Sequence, residues 1–254
     1  MVRLLSLAVA AVVPLQVTAG SATQQQPQLQ QHQARDSVPQ IPFYSDHEPP
    51  SPDFEEGVGH FSEWSKSQKR RFIDAVRSGD DALIANWTVV MGNEGGDLDS
   101  MTSALTWAYH LDHVHQPDAH DHARTVALLQ TPEDALDLRP ENKLALSNAN
   151  MSPGHRDLLT IDELPMTPEE LSKKIKGIII VDHPLPRSVW SQAKVLSIFD
   201  HHTDRGVAPD AKPRLFGRTA SCSTLVAKKM LDERAKAGKD HEYHLPHELL
   251  ELIL

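Results

Sequence analysis

The stretch Val89-Val90-Met91-Gly92-Asn93-Glu94-Gly95-Gly96-Asp97-Leu98-Asp99-Ser100 decides how this chain is read. A short apolar run ends in a glycine-rich turn and passes into a helical-looking segment, residues 101–109. An unbroken apolar run reads as a strand covered on both faces, as parallel strands are. Gly92, Gly95 and Gly96 permit a tight turn and close approach of a ligand. Asp97 and Asp99 then stand near the carboxyl end of a strand, where open α/β sheets bind ligands. Two carboxylates so placed repel unless a cation lies between them, and hard divalent cations prefer oxygen ligands. Capping of the next helix by these aspartates is the competing reading.

The pattern recurs. Gly177-Ile178-Ile179-Ile180-Val181 ends in Asp182-His183, and Lys194-Val195-Leu196-Ser197-Ile198-Phe199 ends in Asp200-His201-His202. Three apolar strands that each deliver Asp or His at the carboxyl end imply one site at one edge of one sheet. Around them, residues 61–78 have helical periodicity, with Trp64, Phe72, Ile73 and Val76 on one side. Lys66, Lys69, Arg70 and Arg71 lie largely on the other, and a solvated basic face is expected. Residues 124–129 and 158–161 read as strands, and Thr131-Pro132-Glu133-Asp134 as a helix start. Thr167-Pro168-Glu169-Glu170 is a capping box opening a helix expected to reach Lys176. The alternation predicts an α/β fold, a parallel β-sheet flanked by crossover helices. His110, His113, His115, His120 and His122 read as a polar loop without fixed ligand geometry. Residues 223–237 and 244–254 read as helices. At the first of these, Ser221 and Ser223 read as an anion site at the helix N-terminus, with plain capping by Ser221 as the competing reading, and Cys222 reads as packing.

The chain has 254 residues and a formal net charge of −10. Such a charge argues against a broad nucleic-acid surface. One cysteine excludes an internal disulfide framework and a Cys-rich zinc site. Residues 1–19 read as a secretory signal peptide, with basic Arg3, an apolar core and small residues before the cut, which implies the secretory pathway. Pro14 and the short length speak against a membrane span. Residues 20–56, rich in Gln and Pro, read as a disordered linker. Residues 57–254 form the domain.

The four motifs, in this order, resemble the DHH phosphoesterase family. Asn93 to Ser100 resembles its first motif, Val181-Asp182-His183 its second, Asp200-His201-His202 the name-giving third, and Ser221-Cys222-Ser223 the fourth. Asn93, four residues before Asp97, and the Asp-His-His-Thr-Asp-Arg-Gly form at 200–206 look like the exopolyphosphatase and prune branch. The resemblance implies two divalent cations, Mn²⁺ or Mg²⁺. It places Asn93, Asp97 and Asp182 around one, and Asp99, Asp182 and His201 around the other, with His202 protonating the leaving oxygen. It implies inorganic polyphosphate or pyrophosphate as substrate, short nucleotides as an alternative, and a non-enzymatic prune-like interaction protein as another. Relatives are often cytoplasmic. The family's last metal-binding Asp and its C-terminal substrate domain would follow Leu254. The 254 residues are therefore expected to bind metal with little turnover, and to leave the run 249–254 exposed.

Overall fold

The computed structural model describes residues 57–114, 124–237 and 245–253. The leader at 1–19, the linker at 20–56 and His115, His120 and His122 lie outside the described residues. The strands are β1 (Trp87–Met91), β2 (Arg124–Leu129), β3 (Leu159–Thr160), β4 (Gly177–Val181), β5 (Val195–Asp200) and β6 (Arg214–Phe216). All pair in parallel, in the order β3-β2-β1-β4-β5-β6. The chain lays β2 and β3 to one side of β1, then crosses back to place β4, β5 and β6 on the other. The boundary between β1 and β4 is thus a topological switch point, the place where open α/β sheets leave a crevice at their carboxyl ends.

Every residue of β1 and β4 is buried. Their side chains alternate between two cores. Val89, Met91, Ile178, Ile180 and Ile198 pack with Phe72, Trp87, Leu171 and Trp190 on one face. Val90, Ile179, Val181 and Phe199 pack with Met101, Leu105, Trp107, Val226 and Met230 on the other. Each fully buried large apolar side chain stabilises the sheet by roughly 1.5–3 kcal/mol, so both faces hold the strand ends firmly.

The helices are α1 (His60–Ser78), α2 (Asp81–Ile84), α3 (Leu98–Val114), α4 (Glu133–Leu136), α5 (Pro140–Asn148), α6 (Pro168–Leu171), α7 (Cys222–Ala237) and α8 (His247–Ile253). None of the described helices is long and apolar enough to cross a membrane.

Several expectations are corrected. The basic face of α1 is not simply solvated: Lys66 Nζ donates to the Gly57 carbonyl, and Lys69 Nζ to the Leu158 carbonyl, each at 2.7 Å. The capping box of Thr167 and Glu170 forms, yet its helix stops at Leu171. The N–H of Lys176 is already claimed by the Trp87 carbonyl, which starts the β4 pairing. Between β4 and β5 there is only a 3₁₀ turn, Ser188–Trp190, because Pro184 and Pro186 disrupt helical hydrogen bonding. The short edge strand β6 lies outside the expected strand set. His110 is not in a loop but buried on α3, with Nε2 2.7 Å from Glu233 Oε2. Finally, the terminal apolar run is packed in part: Leu249 and Leu252 are buried in the core that α3 and α7 share, while Leu250 stays exposed.

Candidate metal centre at the switch point

Asp182 directly follows β4 and adopts φ 61°, a left-handed backbone uncommon for a residue with a side chain. That turn brings its carboxylate to the β1 side of the crevice. Oδ2 accepts Ser100 Oγ at 2.7 Å and Asn93 Nδ2 at 2.9 Å. Ser100 can come so close because residue 92 is glycine: a Cβ there would sit 2.5 Å from Ser100 Cβ. Oδ1 is buried and has no hydrogen-bond partner among the described residues, although His201 Nε2 lies 3.1 Å away and His202 Nδ1 4.0 Å. Burial pushes the Asp182 carboxyl up to about 6. The Ser100 hydroxyl opposes that shift, the charges of Asp99 and Asp97 add to it, and His201 opposes it.

His201 is oriented from behind. Its Nδ1 donates to the Thr219 carbonyl at 3.1 Å, which turns Nε2 toward Asp182. Metal-ligating histidines are held by such carbonyls. Burial works to lower its pKa, but the Thr219 carbonyl and the acids Asp182, Asp99 and Asp200 together raise it.

Asp99 lies on the first turn of α3, with Oδ2 3.7 Å from His201 Nε2. The same carboxylate accepts Ser221 Oγ and Cys222 N–H at 2.7 Å each, and Ser223 N–H at 2.8 Å. The anion held at the amino end of α7 is therefore Asp99, and Ser221 and Ser223 point at it. Asp97 caps α3, its Oδ1 accepting the Ser100 N–H at 3.0 Å. Both aspartates cap a helix, and neither belongs to the cluster of Asp182, His201 and His202. Asn93 Oδ1 accepts the Gly95 N–H at 2.8 Å, and its Nδ2 donates to Asp182.

His202 Nδ1 sits 2.7 Å from Asp200 Oδ1, which also accepts the His202 backbone N–H at 3.1 Å. Asp182 Oδ1, His201 and His202 offer ligand atoms within 4.8 Å of one another. Since Asp200 engages His202 Nδ1, Asp182 and His201 are the pair of this cluster left open to a cation. A buried carboxylate oxygen 3.1 Å from an imidazole nitrogen held in direction from behind fits a divalent ion when that nitrogen is unprotonated. Cys222 is buried, donates Sγ–H to the Phe199 carbonyl at 3.2 Å, and burial raises its thiol pKa, so it packs rather than attacks.

An open cleft of about 430 Å³ reaches this edge, lined by Asn93, Asp182, His183, His202, Thr203 and Arg205. Arg205 belongs to the motif at 200–206 but has no role of its own in the sequence pattern. Its neighbour Asp204 is paired with Arg214, one bond measuring 2.6 Å, which pins the loop that carries Arg205. Only its place in the 200–206 motif could have signalled it.

The DHH family, N-terminal domain, matches residues 87–254. A Schizosaccharomyces pombe protein that carries exopolyphosphatase as a provisional name is 29% identical over 67% of this chain and 42% of its own length. Exopolyphosphatase PRUNE1 of Rattus norvegicus is 29% identical over 56% of this chain and 30% of its own length. A crystal structure of an exopolyphosphatase-related protein from Bacteroides fragilis is 16% identical, covering 68% of this chain and 47% of that one with a TM-score of 0.42. The matched region spans less than half of each relative. The motif order, the all-parallel sheet and the family match over residues 87–254 agree: this chain belongs to the DHH family.

Proposed function

We propose that the chain carries the metal-binding and proton-donating part of an exopolyphosphatase that releases terminal phosphate from inorganic polyphosphate. The observation that carries this reading is Asp182 Oδ1, buried, without a hydrogen-bond partner among the described residues, and 3.1 Å from His201 Nε2 at the switch point. Asp182 and His201, with Asp99, Asp97 and Asn93 around them, would hold two divalent cations, Mn²⁺ or Mg²⁺. Such ions supply a nucleophilic water at neutral pH and neutralise charge on the transferring phosphoryl group. The protein's own residues do the rest. Ser100 and Asn93 fix the Asp182 carboxylate, and the Thr219 carbonyl fixes His201. His202, half-exposed beside the cleft, hands a proton to the leaving phosphate oxygen. Arg205 gives the anionic substrate a cation to approach in a protein of net charge −10.

The names borne by the fission-yeast and rat relatives support polyphosphate as the substrate. Pyrophosphate and short nucleotides are the alternatives within the same chemistry, and a prune-like interaction protein is the alternative outside it. The test is phosphate release by Mn²⁺-loaded protein from polyphosphate, pyrophosphate and a dinucleotide, alongside calorimetry of metal uptake. Slow release that favours polyphosphate supports the reading. Release from pyrophosphate first shifts it to a pyrophosphatase, and metal uptake with no hydrolysis leaves the interaction protein.

A further inference from the structure

The third motif contributes a residue to which neither composition nor spacing assigns a role. Asp200 is the last residue of β5 and is fully buried. Its Oδ1 takes two hydrogens from one residue, the backbone N–H of His202 at 3.1 Å and the ring Nδ1–H at 2.7 Å. Its Oδ2 is buried and has no hydrogen-bond partner among the described residues. The carboxylate therefore points one oxygen at His202 and leaves the other buried and unpaired, which costs free energy. A neutral imidazole carries one proton, and the nitrogen opposite a fixed acceptor is the one left bare.

We infer that Asp200 is a positioning residue that sets the tautomer and ring direction of His202, and so the delivery of its proton to the cleft. This rests on the proposed function, in which His202 acts as the general acid. As the terminal P–O bond breaks, the bridging oxygen keeps the bonding electrons and takes the proton from Nε2. Water supplies the new oxygen on the released phosphate and gives up a proton. His202 ends neutral, with Nδ1–H still on Asp200, and solvent returns the proton to Nε2. With Asp200 in place the ring cannot turn over and present the wrong nitrogen.

The first test needs no turnover. Nitrogen NMR of the ¹⁵N-histidine-labelled, metal-free full chain, at a pH where His202 is neutral, should show the Nδ1–H tautomer for His202. An Nε2–H tautomer in the wild type overturns the inference. Asp200→Ala should mix the two tautomers, whereas Asp200→Asn, which keeps an oxygen acceptor, should retain Nδ1–H. Kinetics add a second arm. Asp200→Ala should lower kcat, by no more than the ~10²–10⁴-fold that losing an acid costs, with KM and Mn²⁺ affinity nearly unchanged. In the His202→Gln background it should change kcat no further. Additive losses in that cycle would reduce Asp200 to a structural residue. A wild type that shows Nδ1–H but no turnover would count against the exopolyphosphatase reading and leave the positioning role standing.

Discussion

The Asp99 carboxylate on α3 accepts the backbone N–H of Ser223, the second residue of α7, at 2.8 Å, across 124 positions of sequence. One oxygen of the same group takes the hydroxyl of Ser221, and the other takes the N–H of Cys222. The carboxylate thus does for α7 what an N-cap residue does, from another helix, while its Oδ2 lies 3.7 Å from His201.

Asp99 is therefore expected to matter before any metal binds. Loss of an N-cap costs about 0.5–2 kcal/mol. Asp99→Ala should lower the unfolding free energy of chelator-treated protein by about that much, read from the urea midpoint. An unchanged midpoint would show that α7 does not depend on this contact.

Asp182 should behave in the opposite way. Its carboxyl is pushed from 3.8 up to about 6, chiefly by burial. In the metal-free protein the charged form is therefore destabilising above pH 6, by about 3 kcal/mol, and that handicap fades as pH falls through 6 toward 3.8. Asp182→Asn, which suits a left-handed backbone better, should stabilise metal-free protein at pH 7 and abolish Mn²⁺ binding in calorimetry. Wild-type Mn²⁺ affinity in this variant would remove Asp182 from the metal centre.

The two histidines should separate by phenotype. His202→Gln is expected to cut kcat by ~10²–10⁴-fold with metal affinity nearly intact. His201→Gln should weaken Mn²⁺ first. Exchanged phenotypes would exchange the roles.

Arg205 lines the cleft on a loop pinned by the Asp204–Arg214 pair. Arg205→Gln should raise KM for polyphosphate and leave Mn²⁺ affinity alone. The increase should shrink at high salt, because an exposed charge is screened. A salt-independent effect would point to a structural role.

A pH effect remote from the metal centre is expected at His155, which is buried and whose pKa burial lowers from 6.5 to about 4, with the charge of Lys143 adding to the shift. A buried neutral histidine must be protonated for acid unfolding. Its contribution is whole above pH 6.5 and is lost as pH falls toward 4, a span worth about 3 kcal/mol. His155→Asn tolerates the φ of 60° at this position and should flatten that part of the stability curve. Identical curves for variant and wild type between pH 6.5 and 4 would rule this out.

What could be read from the sequence was local. The runs of β1, β4 and β5 announce buried strands because a strand covered on both faces is mostly apolar rather than alternating. The box of Thr167 and Glu170 is legible because both partners lie within one turn. Asp182, His201 and His202 were legible because each ends or follows such a run. Tertiary structure alone decided the strand order, and with it which strand ends share a crevice, since either side of β1 could accept β4. It also decided what Asp99 does, because its partners at 221–223 come near only when α7 packs on α3. The same holds for α8: the run 249–254 reads as exposed in a linear chain, yet Leu249 and Leu252 are covered by core that folding assembles from distant segments. A residue's type and near neighbours set what it can do. Which charge, carbonyl or cavity it meets depends on chain crossings that no local pattern encodes.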